Sequence, residues 1–296
     1  MIPASFEYHA PRSVEEAIQL LQRYNGEAKL LAGGHSLLPM LKLRLLQPEA
    51  LIDLGRVPGL AYIRPADGDL AIGALTTYAD IEQSAQLAQQ ARVLAEAAAL
   101  VADVQVRNRG TLCGSLAHAD PAGDPPAVAY ALDAQFHLQG PNGARTVGVD
   151  DWFVDTLESA VGPDEVLTEV RLAVPGPRSG SAYRKFEQPA SHYALVGVAA
   201  LITLAEDGTV ARCRVGITGV GPVAYRATGV EGALTGKRPD EAALREAAAH
   251  AVDGVEVLGD LHASPPFRSH LAQVYTQRAL AAAAARAAGQ PDPRAP

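Results

Sequence analysis

Two short loops of glycine and small polar residues set the tightest limit on how this chain folds. The first, Leu30-Leu31-Ala32-Gly33-Gly34-His35-Ser36-Leu37, runs from an apolar strand through adjacent glycines into a helical pattern. Adjacent glycines permit positive φ and let backbone N–H groups converge on one point. A helix that starts immediately afterwards adds free N–H groups of its own. Such a loop is an anion cradle, to which His35 and Ser36 add side-chain donors. Taken alone it is equally a tight strand-to-helix turn with Ser36 as the N-cap.

The second loop, Arg109-Gly110-Thr111-Leu112-Cys113-Gly114-Ser115-Leu116-Ala117-His118-Ala119-Asp120-Pro121, has the same character and is followed by Asp124. Asp120 and Asp124 supply carboxylates suited to accept hydrogen bonds from a ribose or an adenine. Alone, it too reads as a glycine-rich connection. A dinucleotide diphosphate needs donors from more than one side, and two such loops in one chain can close around it. Tyr183-Arg184-Lys185-Phe186-Glu187 and Ser191-His192-Tyr193-Ala194 precede a buried strand. There a lysine and a tyrosine ordinarily snorkel over the core.

Other chemistries are excluded. The net charge of −8 argues against a general nucleic-acid binder, which needs concentrated Lys and Arg. Only Cys113 and Cys213 are present, too few for the four ligands of an iron–sulfur cluster or a Cys-rich zinc site. His35 and His118 have no ligand partner at regular spacing, so no metal site is expected. Neither a G-x-S-x-G elbow nor a Walker loop is present, and Gly216-Ile217-Thr218-Gly219-Val220-Gly221-Pro222 lacks the Rossmann spacing. No apolar run is long enough to span a bilayer and no export signal opens the chain, so a cytoplasmic protein is expected.

The 296 residues suggest two or three packed units. Ser13 and Glu16 form a capping box for a helix ended by Asn25-Gly26. Strands are expected at 28–32, 51–54, 61–64 and 70–73. A helix follows the first glycine loop through Leu45, and others cover 79–84, 86–101 and 127–132. A hairpin about Pro141-Asn142-Gly143 and a strand at 166–174 complete this part. Pro175–Gly180 is the best boundary. Beyond it lie strands at 181–186, 196–205 and 210–219, with a hairpin turn at Asp207-Gly208, and helices at 240–250 and 265–288.

These residues carry a family resemblance. The runs AGGHSLLPMLKLRL, IGALTTYADI, RGTLCGSLAHADPAGDPP and VLTEVRL, with YRKF near HYALVGVAA, resemble the medium subunit of aerobic carbon monoxide dehydrogenases and, more broadly, the FAD-binding subunits of the xanthine dehydrogenase family. The likeness covers nearly the whole chain. It implies an α+β fold with two N-terminal subdomains of the vanillyl-alcohol-oxidase/PCMH type gripping FAD (1–57 and 58–176). A C-terminal antiparallel sheet with helices (177–288) and a flexible tail (289–296) follow.

It further implies that Ala32, Gly33, Gly34, His35 and Ser36, with Thr111, Leu112, Cys113, Gly114 and Ser115, bind the FAD diphosphate. Thr77 and Asp124 would contact the phosphate and adenosine side, and Leu167, Lys185 and Tyr193 would approach the flavin ring. The implied partners are a large subunit with a molybdenum cofactor and a small subunit with 2Fe–2S clusters. This chain would receive electrons and pass them to an external acceptor.

Three departures bear on the flavin. Cys113-Gly114 stands where the family has Gly-Gly, and a positive φ at Cys113 would be strained. His192 stands where an acidic residue precedes the flavin-side tyrosine. The aromatic-aromatic-x-Gly stretch near the ring reads Trp152-Phe153-Val154-Asp155. The first motivates an alternative, a non-catalytic assembly protein with a weak or empty flavin site.

Overall fold

The computed structural model describes residues 1–292. The chain opens with a small parallel sheet in the order β1-β3-β2, formed by Glu7–His9 (β1), Ala28–Leu31 (β2) and Ala50–Asp53 (β3). Parallel strands need crossovers. The first is α1 (Val14–Tyr24), capped by Ser13, whose hydroxyl accepts from the Glu16 N–H, and ended by left-handed Asn25. The second contains the first glycine loop and α2 (Leu37–Lys42). This helix stops earlier than its leucines suggest. Arg44 turns left-handed at φ 57° while the Arg44 and Leu45 N–H groups bond back to Leu41 and Met40. That closure satisfies the last carbonyls and leaves Leu45 71% exposed.

A five-stranded antiparallel sheet follows, in the order β4-β5-β10-β6-β7. Its strands are Ile63–Ala66 (β4), Asp69–Gly73 (β5), Gln135–Gly140 (β6), Gly143–Gly148 (β7) and Val166–Ala173 (β10). Between β5 and β6 lie α3 (Tyr78–Glu82), α4 (Ala85–Gln90), α5 (Arg92–Ala99), α6 (Val104–Arg107), α7 (Leu112–His118) and α8 (Pro125–Ala131). The helix expected over 86–101 is two helices, because Ala91 leaves the helical region at φ −144°, ψ 52°. That break lets Leu87 and the pair Val93 and Leu94 all reach the core. The stretch 104–118, which contains the second glycine loop, holds two short helices capped by Asp103 and Thr111. A minor hairpin, β8 (Phe153–Asp155) and β9 (Glu158–Ser159), precedes β10. Both sheets share one core, in which fully buried Trp152 stacks on Phe136 with ring centroids 3.8 Å apart.

The remaining chain has its own core. It forms an antiparallel sheet of β11 (Ser179–Glu187), β12 (Ala194–Leu204), β13 (Val210–Thr218) and the short edge β14 (Tyr225–Arg226). The β12–β13 turn uses Gly208 at φ +80°. Helices α9 (Thr228–Leu234), α10 (Glu241–Ala248) and α11 (Pro265–Ala287) complete it. Helix α9 carried no clear sequence signal, since Gly229 and Gly232 interrupt it. Helix α11 lies so close to β11 that a Cβ on Gly180 would strike the Ala283 carbonyl. The alanines of α11 make that approach possible, and Ala279, Ala282 and Ala283 are essentially fully buried. Residues 289–292 fold back on α11: the Gln290 N–H donates to Ala285 at 2.8 Å, and Asp292 pairs with Arg184 and Arg286. Residues 293–296 of the expected tail lie outside the described residues.

A charge cluster joins the two cores. Asp133, between α8 and β6, accepts from Arg226 at 2.6 Å, from Arg214 at 3.2 Å and from Arg212. Burial alone would raise its carboxyl, but the three guanidiniums hold it below the usual range. A lowered acid contributes stability that is complete above its ordinary titration range and is lost as pH falls through the lowered one. Asp133→Asn should therefore destabilise the protein by about 2 kcal/mol at neutral pH. In urea unfolding, its difference from wild type should shrink steadily as the solution is acidified below the ordinary carboxylate range.

Candidate functional site

Strand β2 delivers the chain to the carboxyl edge of the parallel sheet, where ligands of open α/β sheets are bound. Gly33 follows, pressed against the second loop. A Cβ there would overlap the Arg109 carbonyl and lie 2.8 Å from the Gly110 Cα, so only glycine lets the two loops meet. Gly34 takes φ +78°, a conformation costly for any other residue. His35 Nδ1 lies 3.0 Å from the Gly33 carbonyl oxygen. That oxygen can only accept, so the geometry assigns the proton to Nδ1. Ser36 occupies the N-cap position of α2 with helical dihedrals and makes no cap bond. Among the described residues, the N–H groups of Gly33, Gly34, His35 and Ser36 meet no protein acceptor.

The second loop is fixed by a backbone bridge between Thr77 and Thr111. The Tyr78 N–H donates to Gly110 at 3.0 Å and the Leu112 N–H to Thr76 at 3.2 Å. Both threonine hydroxyls are consumed locally. Thr111 caps α7 by accepting from the Gly114 N–H at 3.1 Å, and Thr77 forms a capping box with Asp80 on α3. The N–H groups of Thr111 and Cys113 have no protein acceptor among the described residues. The Tyr78 hydroxyl donates to Ser115 Oγ, leaving the Ser115 proton for another acceptor. Burial pushes the Tyr78 phenol well up, so it stays a donor.

Cys113 is not strained. Its backbone lies in α7 without positive φ, and its side chain points into the core with Sγ 3.8 Å from the Ile72 carbonyl oxygen. Burial pushes its thiol far up. The expected strain assumed that the family's glycine was needed for its φ, whereas the backbone here is ordinary helix.

Between the loops lies a cavity of about 820 Å³, within the range of small-molecule and cofactor sites. Of the expected residues it is lined by Ala32, Gly33, Gly34, His35, Ser36, Thr111, Cys113, Gly114, Ser115, Asp124, Leu167 and Tyr193. Thr77, Leu112 and Lys185 do not line it. Leu112 is a core residue, Thr77 is a cap, and Lys185 is buried rather than snorkelling. The Lys185 ammonium bonds Asp124 Oδ2 at 2.9 Å and the Leu100 carbonyl at 3.0 Å. Asp124 Oδ1 accepts from the Tyr183 hydroxyl at 2.5 Å. The carboxylate expected to meet an adenosine thus has both oxygens engaged by β11.

His192, left-handed at φ 58°, also lines the cavity, with Nδ1 3.2 Å from Glu187 Oε2. Tyr193 beside it has its phenol raised by burial and by Asp120. Trp152 stands behind the site. It is fully buried and donates from Nε1 to the Leu116 carbonyl at 2.8 Å, bracing α7. Sequence reasoning missed Ala102, Glu158, Ser159 and Glu165, which also line the cavity. Only the fold brings them there: Ser159, for example, reaches the site because its hydroxyl bonds the Ala117 carbonyl at 2.8 Å.

The arrangement fits a dinucleotide diphosphate. Lys29 is the one Lys or Arg lining the cavity among the described residues, so most of the anionic charge falls to backbone N–H groups. Residues 4–175 match the family described as the FAD binding domain in molybdopterin dehydrogenase, and residues 181–283 match the CO dehydrogenase flavoprotein C-terminal domain. The chain belongs to the FAD-binding subunits of the molybdenum hydroxylases.

It is 43% identical over 288 residues to the carbon monoxide dehydrogenase medium chain of Hydrogenophaga pseudoflava, covering 97% of this chain and 100% of that one. With the 6-hydroxypseudooxynicotine dehydrogenase complex subunit alpha of Paenarthrobacter nicotinovorans it shares 39% identity, over 97% of each chain. The solved Hydrogenophaga pseudoflava carbon monoxide dehydrogenase lacking the Mo-pyranopterin moiety superposes with a TM-score of 0.93 at 44% identity, over 97% of this chain and 99% of that one. Quinoline 2-oxidoreductase from Pseudomonas putida 86 gives 0.91 at 34%, with the same coverage. No helix among the described residues is long and apolar enough to cross a membrane.

Two outcomes are expected of this FAD subunit. Gly33→Ala must part the loops at a cost on the order of 1–3 kcal/mol, and should weaken FAD binding at least about tenfold in a fluorescence titration. Cys113 and Cys213, both buried, should resist a thiol-reactive dye in the folded protein and react on denaturation.

Proposed function

We propose that this chain is the electron-relaying medium subunit of a cytoplasmic complex whose large subunit carries a molybdenum cofactor and oxidises the substrate. A small subunit carries 2Fe–2S clusters, and this chain passes the electrons to an external acceptor. The observation that carries the reading is the pair of glycine loops that line one cavity and whose N–H groups at Gly33–Ser36, Thr111 and Cys113 meet no protein acceptor among the described residues. Bound FAD supplies a centre that takes up electrons from the clusters and gives them to an acceptor.

The chain's own residues divide the remaining work. Gly33–Ser36, with Thr111 and Cys113 of the second loop, hold the diphosphate through backbone donors, with Ser36 and Ser115 hydroxyls adding to them. Leu167 and Tyr193 also line the cavity and are the proposed contacts of the ring. Thr77, Leu112 and Lys185 act from behind, shaping the loops and the wall. Only Cys113 motivated an assembly protein with an empty site, and its helical, unstrained backbone removes that motive.

Carbon monoxide is the proposed substrate, supported by 43% identity over the whole length to a carbon monoxide dehydrogenase medium chain. Relatives named for other substrates share the same fold, so the decisive residues belong to the large subunit. Purification of the chain with its two proposed partners tests the reading. The complex should contain one FAD per copy of this chain, and its flavin absorption should bleach when carbon monoxide is added without an acceptor. A flavin that is present but bleaches only with another substrate would retain the subunit's role and replace carbon monoxide. A complex without flavin would overturn the role itself.

A further inference from the structure

The segment that leaves the second glycine loop, Asp120–Asp124, is fastened to the C-terminal sheet at several points. The Thr218 hydroxyl lies 2.7 Å from both the Pro121 and the Gly123 carbonyl oxygens. The Gly219 N–H donates to Pro121, and the Ala194 N–H donates to Ala122. All of these attach to backbone and would survive most substitutions. Asp124 is different. It is 4% exposed, and its carboxylate joins two side chains of one strand, Tyr183 and Lys185 of β11. The Lys185 side chain is itself only 2% exposed.

A buried ion pair of this kind adds little net stability, because desolvation of both charges offsets their attraction. Its loss is costly, since it leaves one charge buried alone. Such a pair therefore enforces a geometry. Beyond Lys185, β11 runs through Phe186 and Glu187 into the turn Gln188–Tyr193, which brings Ser191, His192 and Tyr193 to the cavity.

We infer that Asp124 is a positioning residue for FAD: through Lys185 and Tyr183 it fixes β11 against the second glycine loop, and so holds the Tyr193 turn over the cofactor. This rests on the FAD reading above. This action runs through Lys185 and Tyr183, each bound to one of the Asp124 carboxylate oxygens.

The pair also responds to pH. Burial pushes the Asp124 carboxyl up to about 6, against the opposing pull of Lys185 and Tyr183. The other ionisable groups around it are Glu187 on β11, Tyr78 on α3 and Tyr193 on the turn, while Glu96 of α5 accepts from the Tyr183 N–H. A proton on Asp124 removes the ion pair and frees the turn, so FAD affinity falls as pH drops through this value. His35, His118 and His192 also face the cavity and are present in every variant, so a difference between profiles reports the pair.

The test is the FAD dissociation constant of the full chain from pH 5 to 8, by flavin fluorescence, for wild type, Asp124→Asn and Tyr183→Phe. Amide exchange of residues 188–194 is measured alongside. Asp124→Asn should bind about tenfold more weakly at neutral pH, lose the inflection near the Asp124 titration, and exchange faster in the turn. Tyr183→Phe, which keeps the ring packing, should show a smaller loss with the inflection retained. Folded Asp124→Asn with wild-type affinity and profile overturns the inference. If Asp124→Asn does not fold, unchanged affinity and turn exchange in Tyr183→Phe overturn it instead. Wild-type protein that binds no FAD at any pH overturns the FAD reading itself and this inference with it.

Discussion

The contact between Gly33 and the Arg109–Gly110 backbone is the constraint on which the rest of the site depends. Two loops from different sheets approach until no room is left for a side-chain carbon. That approach brings both loops to one cavity, with N–H groups in each that meet no protein acceptor among the described residues. The surrounding interactions hold the loops in this relation. The Thr77–Thr111 bridge fixes the second loop to α3, Trp152 braces the end of α7, and the Thr77 and Thr111 hydroxyls cap the helices that flank the bridge. Backbone donors suit a diphosphate here because they need no flexible cation and lose no rotamer freedom on binding.

The C-terminal sheet is a second support. It grips the exit of the second loop through Thr218, Gly219 and Ala194, and it grips the next stretch of chain through the guanidiniums around Asp133. Close packing extends to the backbone itself, as a Cβ on Gly216 would strike the Ala127 carbonyl of α8. The sheet thereby packs directly against chain that lines the cavity. The large net charge thus coexists with a site that uses few formal charges of its own.

Local rules made part of this legible in the sequence. Ser13 and Glu16 announced α1, Asp207-Gly208 announced the β12–β13 hairpin, and the paired glycines of the first loop marked the cradle. Most of the residues implied by the resemblance line the cavity. What escaped was decided by distance along the chain. Lys185 reads as a snorkelling surface residue until β11 places it against Asp124, 61 positions earlier. Glu158 and Ser159 carry no local pattern and reach the cavity only because β8 and β9 fold beneath α7. Strain at Cys113 was conditional on a point the sequence leaves open: a glycine in a motif can serve close packing or ordinary helix as well as positive φ. The break at Ala91 was invisible because alanine favours helix, and tertiary burial of Leu87 and Val93 overrode that preference.

In the proposed site, two glycine loops bind FAD through their backbone N–H groups. Amide hydrogen exchange of the full chain, with and without FAD, tests this directly. Both segments 30–38 and 109–120 should exchange markedly more slowly when FAD is bound, because the free donors gain acceptors. Tight FAD binding that leaves either segment unprotected would contradict the account.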